Sequence, residues 1–208
     1  RILSRVNGSL FHDGKSINSL SASGSIDDIH PVSLSIATTA DGAKTFKLES
    51  NDAGSLARTT GLFDDARGGS LLITASLRKT LQGAVMEGRM AIDNIMVTKV
   101  PVLARILTLA SLSGIAEILS GEGILFARAD VPFYYDGRAL RVTEARAFGP
   151  SLGITLDGEV SSGDKLQMSG TLVPAYTINA ILGRIPLIGR LLIGREGEGL
   201  LALTYSVR

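Results

Sequence analysis

The chain has 208 residues, of which 45% are hydrophobic and only 5% aromatic, and it contains 24 Gly and no Cys. This length suits one or two domains with a buried core. Its 21 basic and 20 acidic residues leave a net charge of +1, which argues against a nucleic-acid-binding surface. Without Cys, disulfide bonds, thiolate metal sites and cysteine nucleophiles are excluded in this chain. The question left open is why so many aliphatic residues accompany so few aromatic rings.

Most of the chain alternates between apolar and polar residues, which is typical of β-strands with one apolar and one solvated face. In chain order, the clearest alternating runs are residues 32–36, 46–49, 154–160 and 165–172. We therefore predict a mainly β fold with an antiparallel sheet. The apolar residues predicted to share the buried or ligand-facing side of these strands are Leu34, Ile36, Phe46, Leu48, Ile73, Ile154, Leu156, Met168 and Leu172.

Short turn signals separate the alternating runs. Asp–Gly and similar pairs of residues favour tight hairpin turns, which join antiparallel neighbours. The predicted turns are Asp13-Gly14, Asp41-Gly42, Gly68-Gly69, Asp136-Gly137 and Ser162-Gly163. Much of the glycine content is therefore explained by turns.

Two apolar segments, at about residues 101–120 and 175–193, interrupt this alternation and predict helices. Pro186 should kink or divide the second of them. A third, weaker helix is predicted to start at Asn51 or Asp52 and to stop at Gly61. The two apolar helices could pack over the sheet, close one end of it or dock on a membrane. The helix residues that we consider for membrane contact or for closing the end of the sheet are Leu103, Ile106, Leu107, Leu109, Ile181, Arg184, Leu187, Ile188 and Arg190.

No set of residues predicts catalysis, a metal site or a cofactor, and we expect a protein that is not an enzyme. The sequence from Gly149 to Gly153 has the G-x-S-x-G spacing of a hydrolase nucleophile, but a strand follows it and both histidines precede it, so it predicts a β-turn. His12 and His30 form no metal-binding pair and are predicted to be solvated loop residues.

Three segments carry a resemblance to a known family. They are residues 100–115 (VPVLARILTLASLSGI), residues 170–179 (GTLVPAYTIN) continuing into 182–189 (LGRIPLIG), and residues 52–69. Together they resemble the C-terminal region of AsmA-like envelope proteins of Gram-negative bacteria, the superfamily that includes TamB-like proteins. The resemblance implies an extended, twisted antiparallel sheet that curls into a groove. Residues 1–208 would then be the C-terminal β-groove segment of a longer protein, with two possible sub-units at about 1–120 and 121–208.

The same resemblance implies a function in lipid transport. Proteins of this family are anchored in the inner membrane, and for this chain the anchor would lie in a segment that the sequence does not include. The implied location is the periplasm, and the implied role is phospholipid transport between inner and outer membranes and the maintenance of outer-membrane integrity. The implied partners are phospholipid acyl chains, together with the membrane surface or other envelope proteins, and no nucleic acid.

The alternation by itself leaves a second reading open. A β-domain whose apolar face is closed by the two helices would show the same pattern, because residues that face a core and residues that line a groove look alike in sequence. The alternative function is therefore that of a structural or scaffolding β-domain of the cell envelope with a closed core.

Overall fold

A computed structural model of the chain describes residues 3–80, 83–99, 121–161, 165–174 and 203–207. The described residues form eleven strands and one helix. The strands are β1 (Leu3–His12), β2 (Ile17–Ile26), β3 (His30–Thr38), β4 (Lys44–Ser50), β5 (Ala66–Thr80), β6 (Gly83–Val97), β7 (Ile124–Tyr135), β8 (Ala139–Phe148), β9 (Leu152–Ser161), β10 (Lys165–Pro174) and β11 (Leu203–Val207). The helix α1 (Ala53–Thr60) lies between β4 and β5.

All eleven strands belong to one sheet, and their order in space is their order in the chain. Every pair of neighbours is antiparallel. Seven of the ten connections have five residues or fewer, and short connections bring a strand back beside the previous one. The predicted mainly β fold with an antiparallel sheet is confirmed. The sheet continues across the boundary predicted near residue 120, because β6 and β7 pair along most of their length.

The meander places its connections alternately at two ends of the sheet. At one end, which we call the hairpin end, β1 connects to β2, β3 to β4, β5 to β6, β7 to β8 and β9 to β10. At the other, which we call the helix end, α1 joins β4 to β5. The longer connections from β6 to β7 and from β10 to β11 also start and finish at the helix end. The predicted apolar helices at about 101–120 and 175–193 fall in these two connections, outside the described residues.

Three of the five predicted turns are confirmed at the hairpin end, those at Asp13-Gly14, Asp41-Gly42 and Asp136-Gly137. Ser162-Gly163 lies outside the described residues. The prediction for Gly68-Gly69 is wrong, because both residues lie inside β5, with φ of 63° and 83°. Pairing with β6 continues on both sides of them, opposite Asn94, which has a φ of 57°. The left-handed backbone that glycine permits can produce an irregularity within a strand as well as a turn.

The helix α1 begins and ends where the sequence predicts. The backbone N–H of Ser55 donates to Oδ1 of the N-cap residue Asp52 at 2.7 Å, and Gly61 ends the helix with a left-handed φ of 71°. Its first residue, Ala53, belongs to a buried cluster with Ala66 of β5, so α1 covers the sheet at the helix end. The third, weaker helix of the sequence analysis is therefore confirmed.

Replacing Asp52 with alanine should lower the free energy of unfolding by about 1 kcal/mol, because it removes the acceptor that caps α1. Asp52→Asn keeps a side-chain oxygen and should lose much less. Chemical denaturation of both variants checks this. An equal loss in the two would contradict the capping argument and would point to the contact between Asp52 Oδ2 and His30 Nε2, at 3.4 Å.

Candidate functional site

The register of the sheet determines which side chains share a face. Directly paired residues lie on the same face, and side chains alternate along each strand. Following the pairing from strand to strand gives a row that crosses β1 to β10, which we call the central row. Its members are Leu10, Leu20, Ile36, Phe46, Ala75, Gly88, Phe133, Val142, Gly158 and Met168. None of them is polar, and we call the face that they occupy the apolar face.

All nine residues predicted for the apolar side of the strands lie on this face. Ile36, Phe46 and Met168 belong to the central row. Leu34, Leu48 and Ile73 form a neighbouring row with Met90 and Val131. The remaining predicted residues lie on β9 and β10, where Ile154 pairs with Leu172 and Leu156 pairs with Gly170 and Ala145. The structure therefore brings residues that are more than 100 positions apart in sequence onto one surface.

The opposite face of the sheet is mainly polar and carries a series of ion pairs. Two of them join directly paired residues, Arg128 with Asp93 at 3.1 Å and Arg141 with Glu159 at 2.9 Å. The other pairs on this face are Lys47–Glu49, Arg89–Asp130 and Arg146–Glu144. Exposed pairs of this kind contribute little stability each, and their effect here is to keep one face hydrated. The sheet is therefore amphipathic across its width.

Burial is greatest at the helix end of the sheet. The four largest fully buried side chains are Ile26, Ile124, Leu152 and Leu172, and each lies at or next to the terminus of its strand at this end. Ile124, Leu152 and Leu172 belong to one buried cluster, which also contains Leu71, Ile95 and Phe126. The sheet therefore has a closed core at the helix end, which includes the first turn of α1.

At the hairpin end, the apolar face is exposed. The outermost paired row there, which we call the rim row, crosses β5 to β10 and contains Leu77, Met86, Tyr135, Leu140, Val160 and Leu166. Apart from the half-buried Met86, these side chains are 38–42% exposed. Contiguous exposed apolar residues of this kind mark sites of interaction with apolar ligands, membranes or proteins.

The remaining candidates of the sequence analysis take structural roles. The Gly149–Gly153 motif is the turn between β8 and β9, closed by the backbone N–H of Gly149 donating to the carbonyl oxygen of Leu152 at 2.9 Å. His12 lies beside the β1–β2 turn and accepts a hydrogen bond from the backbone N–H of Gly14 through Nδ1. The prediction for His30 is wrong, because it starts β3 and contacts Asp52 of the α1 cap.

The nine helix residues considered for membrane contact, from Leu103 to Arg190, lie outside the described residues. Within the described residues, no helix is long and apolar enough to cross a membrane. In the same part of the chain, no three His, Asp or Glu side chains come close enough together to hold a metal ion.

The sequence analysis missed the middle of the apolar face. Met90, Val131, Phe133 and Val142 join the two groups of predicted residues across β6, β7 and β8. Val142 lies between Arg141 and Thr143, an alternation that could have identified it, whereas Ala91 and Pro132 weaken the alternation around Met90, Val131 and Phe133. Comparison of the chain with protein-family models, with curated proteins and with solved structures found no match in any of the three.

Proposed function

We propose that this chain is a non-catalytic, lipid-conducting module of AsmA-like type. It takes part in phospholipid transport between the inner and outer membranes of the Gram-negative envelope, and so in outer-membrane integrity. The module works in the periplasm, and acyl chains lie along the apolar face of the sheet, which serves as the lining of a groove.

The observation that carries this proposal is the central row. It crosses ten strands without a polar or charged side chain. At a strand spacing of about 4.8 Å, nine intervals give an apolar path about 43 Å long across the sheet. A path for acyl chains needs this continuity, because one charged side chain in the row would interrupt it.

The exposed rim row supports the proposal independently. Five large apolar side chains in adjacent paired positions lie 38–42% exposed at the hairpin end. Transfer of an acyl chain from water to such a surface gains about 0.8 kcal/mol for each CH₂ group buried. An apolar ligand with a long chain therefore gains more from this face than a compact one does.

Photocrosslinking from adjacent residues on opposite faces tests the proposal. Leu166 lies in the rim row, and the next residue, Gln167, is also exposed but lies on the polar face. With p-benzoylphenylalanine at one position or the other, the purified chain is irradiated with vesicles of phosphatidylethanolamine and phosphatidylglycerol. We expect lipid adducts, detected by mass spectrometry of the intact chain, from position 166 and few or none from position 167.

A second adjacent pair, Leu77 and Arg78 on β5, should give the same contrast for the same reason. Equal adduct yields from the two faces would contradict the proposal. So would an absence of lipid adducts at both apolar positions, together with no lipid in extracts of the purified chain. That result would favour the alternative, a structural or scaffolding β-domain with a closed core.

A further inference from the structure

Two lysines lie on the part of the apolar face between the central row and the hairpin end. Lys44 of β4 pairs directly with Leu77 of the rim row, and Lys79 follows two residues after Leu77 on the same face. From the central row to the hairpin end of this face, the paired positions of the described residues include no other Lys or Arg and no Asp or Glu. Both lysines lie at the hairpin end, next to the exposed apolar side chains.

The two ammonium groups can reach one ligand. Lys44 and Lys79 are diagonal neighbours across β4 and β5, a relation that places Cα atoms about 7–8 Å apart. Lys44 is half-buried and Lys79 exposed, so their methylene stems can cover apolar surface while the charged ends remain accessible. Neither forms an ion pair with any described residue, whereas Lys47, on the polar face of β4, contacts Glu49 at 2.8 Å.

The acidic residues of the nearby turns are occupied by other groups: Asp41 within its turn, and Asp136 both within its turn and by Arg141 of β8, whose Nη2 lies 3.3 Å from its Oδ2. Asp41 accepts hydrogen bonds from the hydroxyl of Thr39 and the backbone N–H of Ala43, and these hold its pKa below its ordinary value. The backbone N–H groups of Ala139 and Arg138 lower the pKa of Asp136 in the same way. Both carboxylates therefore stay ionised and serve other groups, and among the described residues no carboxylate forms an ion pair with Lys44 or Lys79.

We infer that the apolar face takes a phospholipid of net negative charge, and that Lys44 and Lys79 hold its phosphate at the hairpin end. The acyl chains then extend from the rim row towards the central row. This inference rests on the proposed function and adds to it the class of headgroup and the place where the headgroup lies. The physical basis is charge complementarity, because an ammonium group beside apolar surface attracts a phosphate more strongly than one surrounded by water.

Lipid selection by charge-neutralised variants tests the inference. The double variant Lys44→Gln/Lys79→Gln is compared with Lys47→Gln/Arg78→Gln, which removes the same charge from the same two strands on the polar face. Each is incubated with vesicles of phosphatidylglycerol or of phosphatidylcholine with the same acyl chains, and bound lipid is counted by native mass spectrometry. Circular dichroism verifies that both variants fold.

We expect the unmodified chain to prefer phosphatidylglycerol, with less preference at high salt. In the apolar-face variant, the ratio of bound phosphatidylglycerol to bound phosphatidylcholine should fall about fivefold for each lysine removed, while phosphatidylcholine binding is unchanged. The polar-face variant should keep the ratio of the unmodified chain. If both variants lose it equally, or neither does, the lysines do not select the headgroup, although the lipid-conducting function stands. If no form of the chain binds either lipid, the proposed function fails and the inference with it.

Discussion

Replacement of Leu152 with alanine is expected to lower the free energy of unfolding by about 2–5 kcal/mol. Leu152 starts β9 at the helix end and is fully buried, with 0% of its surface exposed, in the cluster that also contains Leu172. Truncation there removes buried methyl groups and leaves a cavity, because a packed cluster relaxes only in part. Urea denaturation followed by circular dichroism measures the loss as a shift in midpoint at unchanged slope.

The matched control is Val160→Ala, at the other end of the same strand and on the same face. Val160 is 42% exposed, so its truncation removes fewer contacts, and we expect a loss below about 1 kcal/mol. Comparable losses at the two positions would mean that the face is covered to the same degree along β9. The larger loss of stability expected at Leu152 than at Val160 would reflect the closed core at the helix end and the exposed face at the hairpin end.

Replacement of Gly149 with alanine is expected to destabilise the chain by about 1–3 kcal/mol or more. Gly149 lies in the turn between β8 and β9, directly against the backbone of β7. A Cβ atom at this position would overlap the carbonyl oxygen of Leu125. Because the clashing atom belongs to a paired strand and not to a flexible side chain, relief requires displacement of the turn or of β7. Thermal or urea denaturation would show the loss.

Gly153→Ala is the control within the same five-residue motif. A Cβ atom on Gly153 would meet only the carbonyl oxygen of Val173, at 3.7 Å, which is an ordinary contact. Alanine there should leave stability unchanged or raise it slightly, since it restricts the unfolded chain. If the two substitutions had equal effects, close approach to β7 would not be the reason for glycine at 149. A loss of stability at Gly149 but not at Gly153 would show that Gly149 is required by the packing of the turn against β7.

The burial gradient gives the proposed function a direction along the strands. One end of the apolar face is a conventional buried core, and the other presents a row of exposed aliphatic and aromatic side chains beside two lysines. A closed core and an exposed apolar face therefore occupy different ends of the same strands. On the proposed function, a phospholipid that entered at the hairpin end would meet Lys44 and Lys79 first and apolar surface beyond them.

Local patterns in the sequence predicted β3, β4, β9 and β10, together with α1 and most of the described turns. Alternation placed Leu34 and Ile154 on the apolar side of their own strands, because side-chain direction in a strand repeats every two residues whatever the strand pairs with. The Asp52 cap and Gly61 similarly act within one helical turn. The same local chemistry could not decide whether Gly68-Gly69 makes a turn or an irregularity within a strand, since both use left-handed backbone.

Only the tertiary structure decided how the apolar sides of the separate strands combine into one face. The register of the sheet joins β1 to β10 into one uncharged row and makes Lys44 and Lys79 neighbours, a relation that depends on how β4 and β5 pair. The exposure of each apolar residue was equally beyond the sequence, because Leu152 and Val160 have the same pattern and differ only in what covers them. Alternation with a period of two explains why the aliphatic residues lie on one side of each strand. Long-range packing decides which of them are buried in the core at the helix end and which are exposed at the hairpin end.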